Sequence, residues 1–212
     1  MKRACILLLL VPMIASIPLL GQKAPHEGQV ISAFTGGSVW TSSSGGTCIT
    51  YFPVLGDLNV AELFAPDATG APQIDKEHAY FIWVSDWSIS YMFQNSGFGG
   101  SVISLALVPA GKATIYYTDN PLSRVWSDVT DRSTWGVPVA TFIRGGGMFQ
   151  SPDGFVQTDR FYYSAQLVTS RDVNLHGRRF NFREVVPHGM TCFENGQVGS
   201  TTEVGACTAM GD

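Results

Sequence analysis

Three side chains in this 212-residue sequence could together move a proton: Asp86, His188 and Glu194. An imidazole that titrates near neutrality, flanked by carboxylates, is common material for general acid–base hydrolysis. His188 stands in VVPHGMTCF, where Pro187, Gly189 and Cys192 constrain its surroundings, and Glu194 follows that cysteine by two residues. No motif ties the three together. The sequence contains no G-x-S-x-G elbow, H-E-x-x-H helix, phosphate-binding P-loop or C-x-x-C pair. A secreted hydrolase built on these residues is therefore the alternative expectation, and a non-catalytic domain the leading one.

A second constellation lies in HAYFIWVSDWSISYMF, residues 78–93. Trp83 and Trp87 offer flat faces for a ring or sugar, and Asp86 offers a carboxylate to hydroxyl groups, so the three form a candidate ligand platform. The competing reading is a packed β core with Asp86 at a bend. The histidines His26, His78, His176 and His188 are too dispersed for a recognisable metal set, so no metal and no cofactor is expected.

The cysteines bear on location. MKRACILLLLVPMIASIPLLG has a basic start and a short apolar core, which predicts a secretory signal over residues 1–21 and a single mainly β domain over 22–212. The domain is then secreted or otherwise extracytoplasmic, with no membrane span after cleavage. Three cysteines remain beyond the signal. Cys192 and Cys207 flank a polar run containing Asn195-Gly196, which predicts a hairpin closed by a Cys192–Cys207 disulfide. Cys48 in TCITYF is expected to be a small buried apolar residue, because nothing supplies the base a nucleophilic thiolate needs.

The formal net charge of −4 argues against a polyanion partner, and no nucleic-acid motif appears. Residues 121–184 hold eight arginines and no lysine. Arg124, Arg132, Arg144, Arg160, Arg171, Arg178, Arg179 and Arg183 could converge on an anion, although pairing with Asp128, Asp131, Asp159, Asp172 and Glu184 is the plainer expectation.

The elements that must position these groups are strands. Period-two alternation recurs, and no long three-to-four-residue apolar stripe is present. VNLHGRRFNF predicts a hairpin turning at His176-Gly177, with Leu175 opposite Arg178 and Val173 opposite Phe180. SVISLALVPAGKATIYYTD predicts another, turning at Pro109-Ala110-Gly111, and SPDG at 151–154 a tight turn. RGGGMF reads as a glycine bend between strands. In NVAELF, Asn59 and Glu62 predict a capped helical turn. The fold class is all-β: an antiparallel single-domain sandwich or barrel with at most short helical turns. The function expected is an exported ligand-binding or surface-interaction module whose partner is an unknown ligand or extracytoplasmic protein. A structural envelope or assembly component is the third reading.

Overall fold

The computed structural model describes residues 30–96, 102–153, 158–197 and 203–210. The expected signal, residues 1–21, and His26 lie outside them. Thirteen strands run in the order β1 Val30–Ser42, β2 Gly45–Leu55, β3 Phe81–Ser88, β4 Tyr91–Ser96, β5 Val102–Val108, β6 Gly111–Tyr117, β7 Val137–Arg144, β8 Gly147–Asp153, β9 Thr158–Ser170, β10 Val173–Leu175, β11 Arg178–Phe180, β12 Gly189–Gln197 and β13 Glu203–Ala209. Two single-turn helices interrupt them, α1 Val60–Leu63 and α2 Phe182–Val185.

Eight strands pair antiparallel in the order β12-β13-β1-β2-β3-β6-β7-β9, and β9 pairs back onto β12. The sheet is thus a closed barrel, which resolves the sandwich-or-barrel ambiguity. Closure satisfies the ladder of every stave and leaves the barrel no free edge. Strand alternation divides the residues. Phe34, Trp83, Ile115, Phe142, Leu167 and Met190 face inward and are buried, whereas Tyr162, Val168 and Phe193 face outward and are exposed.

One end is plugged. Between β9 and β12, the β10–β11 hairpin and α2 bring Phe180 and Phe182 against Phe81, with ring centroids 5.6 and 5.5 Å apart. The hairpin has the expected register, Leu175 with Arg178 and Val173 with Phe180. His176 and Gly177 both take positive φ, 52° and 88°, as the two-residue turn requires. Arg178 ties this plug to α1 through Asp57 and Glu62, at 2.8 and 3.2 Å.

A second layer covers part of the outer wall. Residues 56–80 and 118–136 lie over β2, β3 and β6, so outward-facing Ile82 and Val84 are as buried as the core. α1 forms as expected: the Asn59 side chain accepts from the Glu62 N–H, and Glu62 accepts from the Asn59 N–H. Arg124, only 6 % exposed, joins the two excursions. Its guanidinium donates to the carbonyls of Ala79, Tyr80 and Trp135.

Some turns differ from expectation. β5 and β6 do not pair with each other; β5 lies between β4 and β8, and β6 between β3 and β7. The chain at Pro109-Ala110 bends one continuing strand line instead of reversing it, because Pro109 lacks the N–H that would carry the ladder through. Similar breaks separate β3 from β4 and, at Gly145-Gly146, β7 from β8, as the glycine bend in RGGGMF anticipates. β8 continues through Ser151-Pro152-Asp153 paired with β5, so no turn lies there, and Gly154 is outside the described residues. Asn195 and Gly196 are also ladder residues, opposite Val204 and Glu203.

Candidate functional site

The Cys192–Cys207 disulfide is present, joining directly opposed residues of β12 and β13. This register decides what lies beside it. Glu194 sits opposite Gly205 and Glu203 opposite Gly196, so the two glutamates are diagonal neighbours on the face that carries the disulfide, the inside of the barrel. Neither glycine opposes them with a side chain.

Cys48 reaches them from β2. Strand β1 lies between β13 and β2, but the residue of β1 opposite Glu203 is Gly36, which is also opposite Thr50. A Cβ at Gly36 would collide with the backbone of Ile49 and Thr50, so only glycine permits this close approach. Across the gap, the Cys48 thiol donates to Glu203 Oε2 at 3.1 Å and stands 4.0 Å from Glu194 Oε1. The three ligand-capable atoms lie within 4.8 Å of one another, the one such group of histidine, cysteine or acidic side chains found among the described residues.

Arg144 supplies the opposing charge. It is 2 % exposed, and its guanidinium donates to Ser85 Oγ at 3.2 Å, Pro109 O at 3.1 Å and Gly145 O at 3.4 Å, with the Phe161 ring centroid 5.8 Å away. Burial pulls its pKa down, while the nearby Tyr163, Cys48 and Glu194 favour the cation. Burial, followed by the hydrogen bond and charge of Glu203, pushes Glu194 well above the usual carboxylate range; Arg144 opposes this only in part. Glu194 therefore holds its proton to a higher pH than an ordinary carboxyl group does. Burial, then Glu194 and Glu203, likewise raises the Cys48 thiol well above its ordinary value. A sulfur held as the thiol is a poor nucleophile. The expectation that Cys48 is an apolar filler is corrected: it belongs to a polar layer created by barrel closure.

Among the described residues two inward-facing donors have no hydrogen-bond partner, the Ser32 hydroxyl and the Trp83 indole N–H. Trp83 is 3 % exposed, packs on Phe142 at 5.0 Å between centroids, and its Nε1–H has no hydrogen-bond partner. It lies on the same inward row as Glu203, since Glu203, Gly36, Thr50 and Trp83 are successive cross-strand partners. Trp87 faces inward two steps further along β3, and its ring meets Trp40 edge-on at 4.6 Å.

The candidates from sequence are therefore divided. Trp83 and Trp87 share the inner face, but Asp86, at odd spacing from both, is on the outer face, where it accepts from Thr47 Oγ1 at 2.7 Å and pairs with Arg132. The structure does not bring Asp86, His188 and Glu194 together. Glu194 is in the lumen. His188 lines a shallow outer groove of about 370 Å³ with Ile143, Gly145, Ser164, Gln166 and Met210. Asp86 on β3 and the start of β12 at His188 are four staves apart in an eight-stave ring, on opposite sides of it. The arginines do not converge either: Arg124 is buried under the outer layer, Arg144 is in the lumen, and Arg179 pairs with Asp172 at 2.7 Å on the surface.

Sequence reasoning missed Glu203 and Tyr163, and it had Arg144 only as one of eight arginines that could converge on an anion. A signal for Glu203 existed, because taking Cys192–Cys207 as a register pair already places both glutamates on one face. Compared with known family models, curated proteins and solved structures, the chain has no match.

Proposed function

We propose that the protein is an exported, non-catalytic binding module that takes a small molecule into the barrel lumen. The observation that carries this is the Trp83 indole N–H, buried and without an acceptor, on the same inward row as a layer of polar side chains. An unmade hydrogen bond in such a place costs about 1–3 kcal/mol, a cost that a bound acceptor removes. Small-molecule sites in β-barrels commonly combine an apolar lining with a few convergent polar groups, and Phe34, Phe142 and Phe161 beside Arg144, Glu194 and Ser85 have that character. The thiol state of Cys48 and the separation of Asp86, His188 and Glu194 weigh against a hydrolase. Export is supported by the disulfide and by the signal-like start of the sequence.

The test is a small-molecule screen of the disulfide-intact protein, read by tryptophan fluorescence and thermal shift. A lumen ligand is expected to raise Tm and change the emission of Trp83 and Trp87. Ser38→Phe, which places a ring beside Cys48 inside the barrel, is expected to abolish both signals while keeping the native circular dichroism. Hits that bind Ser38→Phe as well as the parent protein would overturn the lumen reading.

A further inference from the structure

We infer that the lumen's ligand is a small organic ammonium ion that also carries a hydrogen-bond acceptor, its cation seated on Glu194 and Glu203 and its acceptor directed to Trp83 Nε1. This rests on the lumen reading above and names the class of ligand.

The acidic side of the site outnumbers the basic. Among the described residues, five titratable or charged side chains face it, one from each of five staves: Cys48 from β2, Arg144 from β7, Tyr163 from β9, Glu194 from β12 and Glu203 from β13. Three are the close acidic group of Cys48, Glu194 and Glu203. Only Arg144 is basic, and its hydrogen bonds to Ser85, Pro109 and Gly145 go to neutral acceptors. Burial and the neighbouring Glu203 favour a proton on Glu194. A ligand cation beside the pair replaces that proton's role: Glu194 releases it to solvent, and the ammonium then faces two carboxylates, with Cys48 remaining a thiol.

Glu203 is partly exposed while Glu194 and Trp83 are buried, so the pair is approached through Glu203. From Glu203 the inward row passes glycine and threonine before reaching Trp83. Three strand spacings separate Glu203 from Trp83, about 14 Å along the curved wall and less across the lumen. A bare metal ion would satisfy the acidic atoms and leave the indole N–H unmet; an organic cation with an acceptor satisfies both.

The probes are tyramine, its uncharged counterpart 4-hydroxyphenethyl alcohol, and Zn²⁺ alone, titrated calorimetrically into the disulfide-intact protein in two buffers of different ionisation enthalpy. Tyramine is expected to bind with release of a proton wherever Glu194 is protonated in the free protein, and to tighten as pH rises through that range. Glu203→Gln and, separately, Glu194→Gln are expected to weaken it at least tenfold, and Trp83→Phe several-fold, each with the parent's circular dichroism. Equal or tighter binding of the alcohol overturns the ammonium assignment while leaving lumen binding intact. Zn²⁺ binding that Cys48→Ser abolishes, without tyramine binding, overturns it in favour of a metal. Failure of all three probes overturns it too, and the fluorescence screen then decides separately whether the lumen binds anything.

Discussion

Replacing Glu194 with glutamine should remove one contribution to the pH dependence of stability in a measurable window. In the unfolded chain Glu194 loses its proton near its ordinary value of 4.5, whereas in the folded barrel burial and Glu203 hold the proton to a much higher pH. Between those two values the native state binds one proton more than the unfolded state, so this group makes stability fall as pH rises, by up to about 1.4 kcal/mol per pH unit. Below pH 4.5 both states are protonated and the contribution is fully present and constant. Glutamine keeps the shape and an N–H to donate to Glu203 but cannot ionise. The stability difference, Glu194→Gln minus wild type, is therefore expected to be flat below about pH 4.5 and to rise above it with that slope. Cys48 and Tyr163 are both pushed upward and stay protonated through this range, while Arg144 stays charged. Urea unfolding at pH 4, 5, 6 and 7 at fixed ionic strength measures the difference directly. Glu203→Gln, which removes the second cause of the shift but leaves burial, should narrow the window from its upper end. A difference independent of pH, or a wild type that gains stability relative to the variant as pH rises, would refute the protonated pair.

Three further outcomes follow from the geometry. Arg124→Ala should cost about 1.5–6 kcal/mol: three charge-assisted bonds contribute about 1.5–3 kcal/mol each, offset by about 3 kcal/mol for burying a charge whose pKa is pulled down to about 10; a stability within about 0.5 kcal/mol of wild type by urea unfolding would show that solvent satisfies the carbonyls. Removing the bridge with Cys192→Ser and Cys207→Ser, a closure over a sequence separation of 15, should cost about 3 kcal/mol in the same assay, and no loss would show that barrel closure alone holds β12 to β13. Cys48 should react with iodoacetamide at pH 8 far more slowly in the native protein than in urea, as mass spectrometry will report; equal rates would contradict a buried thiol.

Local chemistry was legible in the sequence where one rule acts within a few residues. The His176-Gly177 turn, the Asn59–Glu62 capping box and the cysteine pair all formed as their residue types required. Pro109-Ala110-Gly111 misled because the residues that make a tight turn also make a bend, and the difference lies in the neighbouring strands. Alternation, applied strictly, separates Asp86 from Trp83 and Trp87, so that division was available. The contact of Cys48 with Glu203 was not: 155 positions separate them, and only the closed ring, with Gly36 opposite Glu203, brings them together. Even so, β alternation set the inward face of each strand before its neighbours were known.

The seam between β1 and β13 has a consequence for how the protein is made. β1 is the first described strand to leave the ribosome, yet one of its two flanks is met only by β13, beginning at Glu203, the last to appear. Until then β1 offers a row of unpaired amides and carbonyls to any passing strand. Zipping the ring shut is therefore a late, long-range event, slow by the usual relation between pairing distance and folding rate. A chain of this design is suited to staying extended until its synthesis is finished, and then closing all at once.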